Sequence, residues 1–93
     1  MRITADISLY PLAEHFVAGI TDFIARLRRE SGLEVLTNQL STQVRGEFDD
    51  VTGAIERCMR RSMESPGAMV FVVKYVNADL PIGTPPSLDT GSP

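Results

Sequence analysis

The chain has 93 residues, 43% hydrophobic and 23% charged, with nine basic side chains against twelve acidic ones. That length makes one domain with a modest core, and a net charge of −3 argues against a surface built to neutralise phosphates. A single cysteine excludes an intrachain disulfide and fits a reducing cytoplasm, and the longest apolar run, Ala68 to Val73, is far short of the roughly 20 residues of a membrane span.

The opening MRITADISLY has no basic start followed by an apolar stretch, so no secretory leader is expected. Ile3, Ala5, Ile7 and Leu9 alternate with Thr4, Asp6, Ser8 and Tyr10, which predicts a strand ended by Pro11. One face of that strand is aliphatic and the other carries a polar strip. From Ala13 to Glu30 the period becomes helical: Ala13, Phe16, Val17, Ile20, Phe23, Ile24 and Leu27 form one apolar stripe. Asp22 and Arg26 are spaced for a favourable i,i+4 pair, and Arg28 and Arg29 suit the helix C-terminus.

Gly32 fits the left-handed residue that closes this helix. Leu33 to Thr37 then reads as a strand, Asn38-Gln39 as a tight turn, and Leu40 to Glu47 as a second strand of alternating character. Phe48-Asp49-Asp50 offers the cap and acidic first turn of a second helix, whose inner stripe is Val51, Ala54, Ile55, Cys58, Met59 and Met63. Ser65-Pro66-Gly67 stops it. Ala68 to Asn77 is a final strand, apolar on both faces except at Lys74, so the side away from the helices needs another cover. A second copy of the chain is the expected one.

The order strand, helix, strand, strand, helix, strand predicts an α+β, ferredoxin-like βαββαβ domain over residues 1–78, a four-stranded antiparallel sheet with two helices on one face. Right-handed crossovers put the first and third strands in the centre. Six Pro and Gly residues from Pro81 onward make 79–93 an irregular tail.

Catalytic and metal constellations are sparse. His15 is the single histidine and suits a surface or capping role; Cys58 has no partner for a zinc site and reads as a core thiol. No GxGxxG or GxxxxGK[ST] stretch occurs. Asp49-Asp50 are explained by the helix start, so no metal or cofactor is expected. Base-stacking aromatics of an RNA-recognition motif are missing, and Tyr10-Pro11-Leu12 stands where an acylphosphatase has its glycine-rich phosphate loop. What remains is a polar set of Asp6, Ser8, Tyr10, Asn38, Ser41, Thr42, Gln43 and Arg45. It reads either as a solvated or self-associating sheet face, or as a pocket of apolar walls and directed hydrogen bonds suited to a heteroaromatic amine.

Three segments, Ile7-Ser8-Leu9-Tyr10-Pro11-Leu12, Ser31-Gly32-Leu33-Glu34-Val35 and Leu40-Ser41-Thr42-Gln43-Val44-Arg45-Gly46, together resemble the YkoF-like thiamine-binding family. The resemblance covers about residues 1 to 78. It implies a non-enzymatic binder of thiamine or its hydroxymethylpyrimidine moiety, linked to uptake or salvage of the vitamin or its precursors. It also implies ligand-binding roles for Ser8, Tyr10, Ser41, Thr42 and Gly46, to which Asn38 is added from its place in the turn. Some relatives carry two such domains in one chain, so pairing here requires separate copies, as a homodimer or homotetramer. The alternative is a structural or regulatory homo-oligomeric interaction module with no small-molecule ligand.

Overall fold

The computed structural model describes residues 1–12 and 16–88. Its elements are β1 (Arg2–Pro11), α1 (Phe16–Arg29), β2 (Glu34–Thr37), β3 (Thr42–Glu47), α2 (Phe48–Met63) and β4 (Met69–Val76). The strands form one antiparallel sheet in the order β2-β3-β1-β4, with β1 and β3 central as right-handed crossovers require. The expected ferredoxin-like α+β arrangement is the one observed. Readings that concern Ala13, Glu14, His15 and the last five residues fall outside the described residues.

Period-two patterning sends Ile3, Ala5 and Ile7 of β1 and Val44 of β3 toward the helices. There they meet Phe23 and Leu27 of α1 and Val51, Ala54, Ile55 and Cys58 of α2. Phe23 packs edge-to-face on Phe71 of β4, ring centroids 5.2 Å apart. Cys58 is a core thiol, and burial pushes its pKa up. Gly32 adopts φ 79°, the left-handed conformation expected after the first helix.

One ion pair expected from sequence is not made. The salt bridges of the described residues include Arg57 of α2 with Glu30, the residue after α1, and Arg60–Glu56 within α2, but not Asp22–Arg26.

The second hairpin strand starts two residues later than its alternation predicts. Asn38 Oδ1 accepts the backbone N–H groups of Leu40 and Ser41 at 2.9 and 3.1 Å. Those amides are therefore held in an Asx-type turn and do not join a ladder. Asn38 N–H donates in turn to the Ser41 carbonyl at 3.0 Å, closing a four-residue loop in place of a two-residue turn.

The face away from the helices carries Thr4, Asp6, Ser8 and Tyr10 of β1, with Gln43 and Arg45 of β3 and Val70, Val72, Lys74 and Val76 of β4 alongside in register. The segment after β4 turns back over one end of this face. Thr4 Oγ1 donates to the Ala78 carbonyl at 2.8 Å and accepts the Leu80 N–H at 2.9 Å. Asp79 accepts from Arg45 Nε at 2.7 Å and from Arg2 Nε at 3.0 Å.

The hydrogen bond from Arg45 leads the effects that hold the Asp79 carboxyl below the 3.8 of a free carboxyl, with Arg2 adding to it. A depressed carboxyl stabilises the folded attachment fully above that free value and loses it as pH falls through the lower one. NMR titration of the Asp79 carboxyl carbon is therefore expected to give a midpoint below 3.8, with the Leu80 amide shifting in step.

Candidate functional site

A cleft of about 140 Å³ opens where β1 outruns its neighbour. The ladder between β1 and β3 ends at Ile7 opposite Thr42, whereas the ladder between β1 and β4 continues to Pro11 opposite Met69. From Ser8 to Pro11, β1 thus has one edge without a strand beside it. Along such an edge alternate residues present backbone N–H and C=O groups with no ladder partner. The cause is local. Asn38 has taken the amides of Leu40 and Ser41, so β3 cannot extend to cover that edge.

Three walls enclose the cleft. Ser8 and Leu9 form the first, and Ile20 and Ile24, one turn apart on α1, form the second. The hairpin loop and the ends of its strands, from Thr37 to Thr42, form the third. At its back Thr37 Oγ1 and Thr42 Oγ1 are hydrogen-bonded to each other at 3.0 Å. Only one of the two hydroxyl protons is used in that bond, so the accepting hydroxyl keeps its own proton to donate. Thr42 is buried and Thr37 half-buried, which leaves this pair largely shielded from water.

Ser41 stands at the rim in a second arrangement. Its Oγ donates to Asp6 Oδ1 at 2.6 Å and accepts from Gln43 Nε2 at 2.9 Å, while Gln43 Nε2 also reaches Asp6 Oδ1 at 3.3 Å. These three half-buried side chains make a closed polar triangle on the open sheet face. The second oxygen of Asp6 lies outside it.

Four of the six residues proposed from sequence, Ser8, Asn38, Ser41 and Thr42, therefore line one cleft. Asn38 shapes its wall through its carbonyl oxygen. The other two lie elsewhere. Tyr10 is exposed on the open sheet face opposite Val70. Gly46 is buried at the far end of β3, where a Cβ would lie 3.0 Å from the Gly32 carbonyl oxygen and 3.2 Å from Leu33 Cδ2.

Gly46 therefore lets the end of α1 close on the sheet. Gly46→Ala is expected to cost about 1–3 kcal/mol by overpacking, read as a lower denaturant midpoint.

Sequence reasoning missed Ile20, Ile24 and Thr37. The two isoleucines belong to the apolar stripe of α1 and cannot be told from core positions by periodicity. Thr37 became visible only through its hydroxyl contact with Thr42. No described residue that lines the cleft carries a titratable side chain, so its chemistry is apolar enclosure plus neutral hydrogen bonds. No group of His, Cys, Asp or Glu among the described residues is arranged to hold a metal ion. No helix among them is long and apolar enough to cross a membrane.

Comparison with known proteins gives the following. The model of the YKOF-related family matches residues 2–85. Among curated proteins none matches in sequence. A protein of Streptococcus pneumoniae is similar in structure with a TM-score of 0.78 and 18% identity, over 86% of this chain and 90% of that one. A domain of unknown function from Bacillus cereus has a TM-score of 0.72 at 15% identity, over 85% and 78%. A candidate thiamine biosynthesis/salvage protein of Thermotoga maritima has a TM-score of 0.71 at 19% identity, over 89% and 87%. At these identities the likeness establishes a shared fold.

Proposed function

The chain belongs to the YKOF-related family, and we propose that it is a non-catalytic binding protein for the hydroxymethylpyrimidine part of thiamine, serving uptake or salvage of the vitamin or its precursors. The observation that carries this reading is the cleft beside the uncovered edge of β1. Its volume of about 140 Å³ is well below the roughly 300–1,000 Å³ of sites that engulf drug-sized ligands, and suits one substituted ring. Ile20, Ile24 and Leu9 would enclose the faces of that ring. Ser8, the Thr37–Thr42 hydroxyl pair and the β1 backbone edge would meet its nitrogens and exocyclic amine. The description of the Thermotoga relative as a candidate in thiamine biosynthesis or salvage agrees with this reading.

The open sheet face bears on assembly. Val70, Val72 and Val76 are 43%, 44% and 42% exposed on the open sheet face, an apolar row of the kind that pairs copies about a two-fold axis. The proposed state is a homodimer or homotetramer in the cytoplasm; the row supports the pairing, and a stable pair would bury more than about 1,000 Å². The same row is what favours the rival reading, an interaction module that assembles without a ligand.

Calorimetry with hydroxymethylpyrimidine and with thiamine separates the two. Binding is expected for both, with the free pyrimidine at least as tight. An absence of heat and of thermal stabilisation at about 10 mM, ten times the Kd of a millimolar site, removes the ligand and leaves the module. Val72→Lys is expected to shift sedimentation toward the monomer while pyrimidine binding persists.

A further inference from the structure

A second cleft, of about 240 Å³, lies on another face of α1 and is bounded by the end of α2, the turn that follows it and the start of β4. Gly19, Asp22 and Arg26, spaced three and four apart, turn toward it, whereas Ile20 and Ile24 turn toward the first cleft. Three features set it apart from an ordinary surface hollow. It places a carboxylate and a guanidinium on one wall, and among the described residues neither closes an ion pair, although their spacing favours one. Ser62, which also lines it, is 4% exposed, and its Oγ is the one buried side-chain polar atom of the described residues without a hydrogen-bond partner. The remaining wall is mostly apolar, with Pro11, Pro66, Ala68 and Met69 beside the single hydroxyl of Ser65.

The charge pattern narrows the ligand. A simple anion placed here would meet Arg26 but be repelled by Asp22, and a simple cation would meet the reverse. A molecule carrying both charges meets both groups, and the forked guanidinium suits a carboxylate in particular. We propose that this cleft binds a free α-amino acid with an apolar side chain. Its carboxylate pairs with Arg26, its ammonium with Asp22, and the enclosed Ser62 hydroxyl rotates about its χ1 bond to complete the polar contacts, while its side chain rests on Pro11, Pro66 and Met69. This site is separate from the pyrimidine cleft and does not depend on it.

The test uses the whole chain and three probes: L-methionine, N-acetyl-L-methionine and L-methioninamide, each read by thermal shift and calorimetry up to about 10 mM, which saturates even a millimolar site. L-Methionine is expected to bind, and removal of either charge to weaken binding at least about tenfold, near 1.4 kcal/mol. Asp22→Asn is expected to abolish the preference over the acetylated probe, and Arg26→Gln the preference over the amide; neither alters the response to hydroxymethylpyrimidine. Ser62→Ala separates a ligand role from a structural one. Removing an unpartnered buried hydroxyl leaves the free protein as stable or more so, yet is expected to weaken L-methionine. No response to any of the three probes, equal responses to all, or variants that leave the affinities unchanged would overturn the proposal.

Discussion

Ile24→Trp is expected to abolish hydroxymethylpyrimidine binding, lowering affinity by more than about a hundredfold, or roughly 2.7 kcal/mol. Ile24 is half-buried on the wall of the 140 Å³ cleft, and an indole there is expected to fill the space the ring would occupy. Strain from the larger side chain is put at about 1–3 kcal/mol, which a calorimetric melt would report as a lowered but cooperative transition. Thr42→Val addresses the polar side of the same site. It preserves shape, removes one hydroxyl of the Thr37–Thr42 pair, and is expected to weaken the ligand by up to about tenfold, in line with the roughly 0.5–1.5 kcal/mol of one hydrogen bond. Tyr10→Ala serves as the contrast. Tyr10 is 55% exposed on the open sheet face, so its loss is expected to leave affinity within about twofold. Titration of the three variants checks all of this.

Phe23→Ala is expected to have the largest effect on the fold. Phe23 is fully buried and packs edge-to-face on Phe71 at an interplanar angle of 60°. Truncating such a ring costs about 3–5 kcal/mol through lost transfer energy and the cavity left behind. Domains of this kind have only about 5–15 kcal/mol in all. Urea unfolding is expected to show a much lower midpoint with an unchanged slope, and a variant that is largely unfolded without denaturant falls in the same direction. A loss below about 1 kcal/mol would mean that the α1–β4 contact contributes little to the core.

Most of the fold is legible in the residue pattern. Strict alternation from Ile3 to Tyr10, the three-and-four spacing from Val17 to Leu27, and Gly32 at the helix exit each leave one physical reading, and the sheet order follows from crossover handedness. The cleft was legible only in part. Its hydroxyls could be named from Ser8, Ser41 and Thr42, but its shape depends on a competition invisible to periodicity. Leu40 and Ser41 continue the alternation of β3, yet the Asn38 side chain holds their amides, and the ladder with β1 stops at Ile7. Side-chain capture of two backbone donors thus decides where the sheet ends, and with it where a cleft can open.

Gly46 and Tyr10 illustrate the converse. Both lie in segments that carry the family resemblance, but one is a close-packing position beside Gly32 and the other an exposed sheet-face residue. A short motif marks a stretch of chain without saying which of its residues share a cleft and which set the backbone around it. The contacts of Asp79 and Leu80 with Arg2, Thr4 and Arg45 were likewise hidden, since the partners are more than thirty residues apart in sequence and no local period links them.

Where the pyrimidine sits is the decisive question. Amide chemical-shift mapping during a titration with hydroxymethylpyrimidine tests that most directly. The expected result is a set of large shifts confined to Ser8, Leu9, Ile20, Ile24 and the Thr37–Thr42 loop, with Val70, Val72 and Gly46 unmoved. Shifts concentrated instead on the valines of β4, or none at saturating ligand, would contradict it.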